Sequence, residues 1–303
     1  MHDILIVGGG PAGMTAALYA QRNGRSAMVI EKNGFGGQIT HSPRVENYPG
    51  TLSMSGNEFA DRMLEQILAQ GADIELETVT EIRDEGAVKA VLTAEGSRFE
   101  GRAVVLATGV EHRMLALPGE TELVGEGISF CAVCDGDFYA GRDVCVAGGG
   151  NSALQEALLL SEKCRSVTVL QDLPACTGEQ RLQDILFAKP NVRLRTGVKI
   201  TGLHRGEEGL AGVEITGADG AAETVPCGGL FVAIGLIPKN EAFAAFADLD
   251  AQGYFAADER CLTRTPGVFV AGDCRAKGVR QVATAIADGA TAALAACRYI
   301  SGL

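Results

Sequence analysis

The chain has 303 residues and a net charge of −12, with 47% hydrophobic and 21% charged residues. This length is long for one hydrophobic core, so two domains of ordinary size are expected. The acidic balance disfavours nucleic acid and anionic membranes as partners, because both are bound through clustered lysine and arginine.

Neither secretion nor membrane insertion is indicated by the sequence. The apolar runs, such as AVVLATG at 103–109, are much shorter than the roughly 20 residues of a membrane helix. The first residues, MHDILIVGGG, lead directly into a predicted strand without a basic signal region. Nine cysteines, an odd number spread along the chain, are expected to be mostly reduced thiols. We therefore expect a soluble, cytoplasmic protein.

The first predicted elements are a strand, a glycine turn and a helix that match the dinucleotide-binding fingerprint. Gly8 permits the tight turn, Gly10 lets the backbone approach a pyrophosphate, and Gly13 lets helix and strand pack closely. The helix N-terminus then faces the phosphates with the positive end of its dipole. Glu31, 23 residues after Gly8, is placed to accept hydrogen bonds from ribose hydroxyls.

Two cysteines follow in SFCAVCDGDFYAG at 129–141. The spacing of Cys131 and Cys134 suits a zinc site, a structural disulfide or a working disulfide. A zinc site with four cysteines would need a second close pair, which the sequence lacks. The zinc interpretation is therefore disfavoured, and the two kinds of disulfide remain open at this point.

A second glycine turn comes next, in RDVCVAGGGNSALQEALLL. Gly148, Gly150 and Ala153 fill the three small positions between an apolar run and a predicted helix. Two such turns indicate two bound dinucleotides or an ancestral duplication.

The last predicted strand and helix, in TPGVFVAGDCRAKGVRQVATA, cannot form an independent domain. We expect them to complete the first domain and to leave residues of about 115–243 as an insertion. LPGE at 117–120 and GLIPKN at 235–240 supply the proline and glycine expected at the two crossovers.

The chain resembles the low-molecular-weight thioredoxin reductases from residue 3 to its C-terminus. The matching motifs, in the order of that family, are GGGPAG, GGQ, VENYPG, ATG, CAVCDG, GGGNSA, FVAIGLIPKN, GVFVAGD and RQVATA. The resemblance implies an α/β fold of two Rossmann-like, three-layer ββα dinucleotide-binding domains. Residues 1–115 and 244–303 would form a split FAD-binding domain, and residues 116–243 an inserted pyridine-nucleotide-binding-like domain with the CxxC pair. It also implies a homodimer that acts on thioredoxin or a similar small redox protein.

The resemblance assigns residues to both nucleotide sites and implies no metal. The residues placed around FAD are Gly8, Gly10, Pro11, Ala12, Gly13, Glu31, Lys32, Gly37, Gln38, Asn47, Val79, Ala107, Thr108, Gly109, Gly272, Asp273, Arg280, Gln281 and Val282. Among them, Asp273 would hold the ribityl chain, and Gln281 and Val282 would lie beside the flavin ring. The second nucleotide site would comprise Gly148, Gly150, Asn151, Ser152, Ala153, Gln171 and Asp172.

The resemblance also assigns roles to the cysteine pair. Cys134 would face the flavin, and Cys131 would attack the disulfide of the partner protein. A CxxC pair at a helix start can hold one thiolate at neutral pH, and the second cysteine resolves the mixed disulfide that forms. Asp135 would donate and accept the proton, although an aspartate here also suits a helix cap.

The sequence departs from NADPH-dependent relatives after the strand of the second glycine turn. Those relatives carry a His-Arg-Arg triplet and a further arginine that hold the 2′-phosphate, whereas this chain has Gln171, Asp172, Leu173 and Thr177. Losing two or three charge-assisted contacts, each of about 1.5–3 kcal/mol, should weaken NADPH binding by several orders of magnitude. An acid near this position suits the ribose hydroxyls of NADH, although Gln171 rather than Asp172 is in register with Glu31. NADH is therefore favoured over NADPH.

Two other interpretations remain open. In the first, ferredoxin rather than a pyridine nucleotide donates the electrons. The missing arginines suit that interpretation, but the intact GGGNSA motif and the acidity of the chain oppose it. In the second, the protein is a flavin-bound redox sensor without turnover, which the complete set of FAD motifs and Asp135 disfavour.

Overall fold

The computed structural model describes residues 1–42 and 45–302, and the chain divides into two compact units. The first unit contains Met1–Glu111 and Ile237–Leu303, and the second contains His112–Leu236. The chain thus leaves the first unit once and later returns to it.

The first unit is built on a seven-stranded sheet. Its strands are β1 (His2–Val7), β2 (Ala27–Glu31), β3 (Asp73–Leu76), β4 (Val79–Asp84), β5 (Lys89–Thr93), β6 (Arg98–Leu106) and β17 (Val268–Val270). Strands β3, β2, β1 and β6 are parallel neighbours, β17 pairs with β6, and β5 and β4 continue from β6 in antiparallel order. The helices are α1 (Pro11–Arg22), α2 (Gly56–Ala69) and α7 (Val282–Ser301), with 3-10 turns at Gly37–His41, Glu241–Phe243 and Gly272–Cys274.

Both faces of the central parallel strands are buried, as the unbroken apolar run of β1 requires. Ile4 and Ile6 of β1 belong to the core that contains the helix residues Met14 and Ala292. The alternate residues of β1 belong to a second core with Ile82 of β4 and Val91 of β5, because successive side chains of a strand point to opposite faces. A helical layer, the parallel strands and the β4–β5 hairpin thus form the three-layer ββα arrangement.

Small residues allow α1 and α7 to approach closely. A Cβ atom on Gly289 of α7 would lie 2.2 Å from the carbonyl oxygen of Ala12 on α1. Ala16, Ala293 and Ala296 extend this contact within the same core. The C-terminal helix is therefore an integral part of the first unit.

The second unit contains a parallel sheet and an antiparallel sheet. The parallel sheet has the order β11 (Val192–Thr196), β10 (Ser166–Gln171), β9 (Asp143–Ala147), β15 (Gly229–Val232) and β8 (Ile128–Ser129). The antiparallel sheet contains β12 (Val198–Gly206), β13 (Gly209–Gly217) and β14 (Ala222–Pro226). The helices are α3 (Glu120–Leu123), α4 (Ala132–Asp135), α5 (Asn151–Ser161) and α6 (Gln180–Phe187), with a 3-10 turn at Gly136–Tyr139.

The two connections between the units pair as short strands, β7 (Glu111–His112) and β16 (Leu236–Ile237). We predicted the inserted segment as 116–243, whereas the second unit begins at His112 and ends at Leu236. The difference at the second crossover has a physical reason, because the segment after β16 is buried in the first unit. Phe243 lies in the core that contains β4 and β5, and the Asn240 side chain is fully buried.

Across residues 1–42 and 45–302, no helix has both the length and the apolar character that crossing a membrane requires. The same residues contain no cluster of three histidine, cysteine, aspartate or glutamate side chains suited to a metal ion.

Candidate active site

The first glycine loop, residues 8–13, has the geometry that a bound dinucleotide needs. Gly8 has φ +110°, and a Cβ there would lie 2.3 Å from the carbonyl oxygen of Ala107 on the neighbouring strand. A Cβ on Gly13 would lie 1.9 Å from the carbonyl oxygen of Gly8, so the start of α1 packs directly on the turn. A Cβ on Gly10, by contrast, would meet no atom nearer than the carbonyl oxygen of Gly36 at 4.0 Å, which leaves room for a phosphate. Helix α1 begins at Pro11 without a side-chain cap, so its N–H groups stay available.

Glu31 stands at the end of β2, beside this loop. Its Oε2 accepts a hydrogen bond from the Gly9 N–H at 2.6 Å, and its Oε1 accepts one from the Asn33 N–H at 3.0 Å. Each carboxylate oxygen keeps a further lone pair, so the group can also accept a ribose hydroxyl. The next residue, Lys32, turns to Glu111, with 2.9 Å between Nζ and Oε1.

Other residues predicted to hold FAD are joined by hydrogen bonds within the first unit. The Gly36 N–H donates to the Gly9 carbonyl at 2.9 Å, which brings Gly37 to the glycine loop. Gln38 Nε2 donates to the Val110 carbonyl at 3.1 Å, beside the predicted segment Ala107–Gly109. Asn47 Nδ2 donates to Oε1 of Gln281 at 3.2 Å, which links the N-terminal and C-terminal parts of the predicted set.

The C-terminal part of the set surrounds the start of α7. Gly272 has φ +82°, and its N–H donates to Oδ2 of Asp288 at 3.1 Å. Burial raises the pKa of Asp273, opposed by the ammonium of Lys277, 3.1 Å from its Oδ1. Arg280 donates to the Asp273 carbonyl and lies over the ring of Tyr254. Gln281 caps α7, which places Val282 at its first turn.

Asn240 and Val79 show how the predicted FAD set compares with the structure. Asn240 ends the motif FVAIGLIPKN but was not predicted as a site residue, yet its Oδ1 accepts a hydrogen bond from the Thr108 hydroxyl at 2.8 Å. Val79, which was predicted, begins β4 and packs against the core of the second sheet face. The open space at Gly10, the uncapped helix and the free lone pairs of Glu31 all fit FAD.

The second glycine loop, residues 148–153, repeats this geometry in the second unit. Gly148 has φ +116°, and a Cβ there would lie 2.6 Å from the carbonyl oxygen of Ala233. Helix α5 begins at Asn151 after Gly150 and, like α1, has no side-chain cap. Ala153 is fully buried, and its position in this loop corresponds to that of Gly13 in the first loop. Asn151 Oδ1 accepts a hydrogen bond from the Glu179 N–H at 2.7 Å, and Ser152 is exposed.

Gln171 and Asp172 differ clearly in their placement. Gln171 is the last residue of β10 and is 4% exposed, and a Cβ on Gly149 would lie 2.8 Å from its side-chain amide. This is the place that Glu31 takes beside Gly9 in the first unit. Asp172 follows the strand and is exposed. The side chain that faces the second glycine loop is therefore an uncharged amide.

Cys131 and Cys134 form a disulfide at the start of α4. Both are half-buried, and Val133 between them is 58% exposed. The Cys134 N–H donates to Sγ of Cys131 at 3.1 Å. After reduction, the same N–H would stabilise a thiolate on Cys131 in preference to one on Cys134.

Asp135 is buried directly after the pair and is oriented by Ser129, a residue that we did not single out from the sequence. The Ser129 hydroxyl donates to Oδ2 of Asp135 at 2.6 Å and accepts the Cys131 N–H at 3.1 Å. Burial raises the pKa of Asp135, and the hydrogen bond from Ser129 partly opposes the shift. A carboxyl group that keeps its proton closer to neutral pH is suited to acid–base work at the sulfurs.

A second acid, the partly buried Glu156 on α5, lies in this region. Burial raises its pKa to about 8, with a further contribution from the charge of Asp135. The sequence carried a signal for this residue, because Ala153, Ala157 and Leu160 define the buried face of α5 and Glu156 lies at helical spacing from them.

Comparisons with known proteins agree with this geometry. Residues 2–289 match the family model described as pyridine nucleotide-disulphide oxidoreductase. The thioredoxin reductase of Listeria innocua is 38% identical, covering 100% of this chain and 95% of the relative, and that of Bacillus subtilis is 35% identical, covering 100% and 96%. The crystal structure of thioredoxin reductase from Streptococcus pyogenes superposes with a TM-score of 0.94 at 35% identity, covering 100% of this chain and 99% of that one.

The α/β fold, the two glycine loops and the cysteine disulfide all agree with these matches, which extend over nearly the whole chain. The chain therefore belongs to the pyridine nucleotide-disulphide oxidoreductase family and is a disulfide oxidoreductase of the thioredoxin reductase type.

Proposed function

We propose that the protein passes electrons from NADH through FAD and the Cys131–Cys134 pair to thioredoxin or a similar small redox protein. The observation that carries the choice of NADH is the uncharged amide of Gln171 beside the second glycine loop. The relatives named thioredoxin reductase support the protein substrate. A homodimer, as the family resemblance implies, is part of the proposal and can be tested by analytical ultracentrifugation.

In this proposal the first unit binds FAD, and the second carries the nicotinamide nucleotide and the cysteine pair. FAD, when bound, supplies two-electron chemistry between a nicotinamide and a disulfide. The first glycine loop and the N-terminus of α1 would hold its pyrophosphate, and Glu31 a ribose. Asp273 and the start of α7 at Gln281 would hold the remainder of the cofactor.

The cysteine pair performs the exchange with the protein substrate. The thiolate of Cys131, stabilised by the Cys134 N–H, attacks the disulfide of the substrate and forms a mixed disulfide. Cys134 then attacks Sγ of Cys131, which releases the substrate as a dithiol and restores the intramolecular disulfide. Asp135 gives a proton to the departing thiolate and is held in place by Ser129.

The choice between nicotinamides gives a direct test. Anaerobic titration of the purified flavoprotein, followed by flavin absorbance, is expected to show reduction by NADH at concentrations at least about 100-fold lower than by NADPH. The physical reason is that two missing charge-assisted contacts of about 1.5–3 kcal/mol each correspond to a factor of at least this size.

Charge variants sharpen that titration. Asp172→Arg combined with Leu173→Arg is expected to improve reduction by NADPH, because guanidinium groups pair with the 2′-phosphate. Glu208→Arg combined with Glu207→Gln, in the exposed turn between β12 and β13, makes the same total charge change in the same unit and should leave the preference as it was. Equal reduction by both nucleotides in the unmodified protein would contradict the preference. Reduction by neither would favour a ferredoxin-type donor instead.

A further inference from the structure

Two carboxyl oxygens near the cysteine pair are buried without a hydrogen-bond partner. One is Oδ1 of Asp135, whose other oxygen is bound by Ser129, and the second is Oε2 of Glu156. A buried carboxylate oxygen without a partner is costly when charged, so each group favours its protonated form. The mechanism described above uses Asp135 and leaves Glu156 without a role.

The packing of α4 on α5 brings these two groups into one region. Leu160 lies one turn after Glu156 on the same face of α5, and its Cδ2 would be 3.4 Å from a Cβ on Gly136, the residue after Asp135. Burial is the main cause of the raised pKa of Glu156, and the charge of Asp135 adds to it. An ionised Asp135 therefore makes ionisation of Glu156 less favourable.

The other ionisable groups on the elements around α5 are neutral, paired or exposed. Cys145 of β9 stays neutral, because its hydrogen bond with Cys227 and its burial raise the pKa of the thiol. Tyr139, whose pKa is raised to about 12 by burial and by Asp135, stays neutral in the range of interest. Asp137 is paired with Lys163, and Asp143 of β9 is paired with Arg165. On α6, the charged residues 181 and 184 are exposed, and β10 carries no charged side chain.

Each turnover takes one proton from the protein. As the substrate disulfide is reduced, its S–S bond breaks and the bond between Cys131 and Cys134 forms. The reduced pair carries one proton when Cys131 is a thiolate and Cys134 a thiol, whereas the released substrate dithiol carries two. Asp135 gives the remaining proton and must recover it before the next turnover. Asp135 is only 8% exposed, whereas Glu156 is partly exposed and can exchange protons with solvent.

We propose that Glu156 is a positioning residue that acts through Asp135, holding a proton in the buried pair at neutral pH and returning it to Asp135 after each transfer to the sulfurs. This role deepens the proposed function and rests on it for the identity of the reaction. It does not depend on which nicotinamide or which small protein takes part.

The first test observes the proton without any turnover. Because burial raises the pKa of Glu156 to about 8, its carboxyl group is protonated below that pH and ionises as the pH rises through it. In infrared spectra of the dithiothreitol-reduced protein, we expect a carboxylic-acid C=O band that disappears through about pH 8. Alkylation of Cys131 by iodoacetamide should show an inflection in the same range. Glu156→Gln should lose both signals.

The matched control is Glu162→Gln, the same change at the C-cap of α5, where Glu162 is exposed and paired with Lys189. This variant should keep both signals, and their survival in Glu156→Gln would overturn the proposal. Neither measurement uses a nicotinamide or a protein substrate. Failure of the unmodified protein to reduce thioredoxin would therefore overturn the proposed function while leaving this result to stand by itself.

The second test uses the holoenzyme. Glu156→Gln is expected to lower kcat for thioredoxin reduction about tenfold with KM unchanged, and Glu156→Asp to recover part of the loss, because returning the proton to Asp135 becomes slow. The inflection of kcat near pH 8 should also disappear. A variant with the kcat and pH profile of the unmodified enzyme would overturn the role, and thermal unfolding will verify that it is folded.

Discussion

Replacement of Cys131 by serine is expected to abolish reduction of a thioredoxin disulfide, with kcat lowered at least about 1,000-fold, because removing an attacking nucleophile commonly costs this much or more. A serine hydroxyl is not ionised at neutral pH, so the N–H of Cys134 would have no thiolate to stabilise. Reduction of the flavin by a nicotinamide should persist, since Cys131 acts after that step. Turnover with a thioredoxin disulfide and anaerobic flavin absorbance measure the two effects separately.

The control for this variant is Cys297→Ser, which changes a buried thiol on α7 of the first unit. This variant should retain turnover. A single substitution usually lowers the free energy of unfolding by about 0.5–3 kcal/mol, so the protein should remain folded. If Cys131→Ser still turned over thioredoxin, Cys131 would not be the attacking residue. If both variants lost turnover equally, the effect would come from folding.

The second large effect is expected for Gly13→Ala. The added Cβ would lie 1.9 Å from the carbonyl oxygen of Gly8 and 3.3 Å from Cγ2 of Ile6, and the backbone carbonyl cannot give way as a flexible side chain could. Overpacking of a buried site costs about 1–3 kcal/mol even where side chains can adjust, so we expect at least the upper part of that range. The turn at Gly8 and the N-terminus of α1 should separate, and FAD binding should be lost. The ratio of flavin to protein absorbance and the thermal unfolding temperature will measure both effects.

Gly34→Ala is the matched control for that variant. Gly34 lies in the same unit, and a Cβ there would meet no heavy atom within 4 Å. It should keep its flavin and its unfolding temperature. A Gly13→Ala protein that purified with a full complement of FAD and the stability of the Gly34→Ala control would contradict the role given to this glycine.

The glycine loops show what local spacing can predict. A strand, a turn and a helix that are contiguous in the chain place Gly8, Gly10 and Gly13 by backbone geometry alone. In the structure Gly8 and Gly13 are tightly packed and Gly10 has open space beside it, as expected. The register of Gln171 with Glu31 was also visible, since both follow their first glycine by 23 residues. The structure adds that Gln171 is buried against the loop and that Asp172 is exposed.

Contacts between distant parts of the chain could not be predicted in this way. Thr108 and Asn240 are 132 residues apart, and their hydrogen bond requires the returning segment to be folded. The second crossover lies earlier than we predicted, because Asn240 is already buried in the first unit. Proline and glycine mark a turn but do not show which core the next residues enter. In the same way, Gly272 and Asp288 come together only through the start of α7.

Around the cysteine pair, too, some features could be predicted from the sequence and others only from the folded structure. The amino-acid order alone was enough to locate the two glycine loops and the close cysteine pair followed by Asp135, because each depends on neighbours within a few residues or on motifs kept in a fixed order. The binding and redox roles of these residues stay predictions. Ser129 as the residue that orients Asp135 emerged from a hydrogen bond between β8 and α4, and Glu156 as its partly buried neighbour emerged from packing of α4 on α5. Burial and loss of solvent create their chemistry, and both are properties of the folded chain rather than of any short stretch of it.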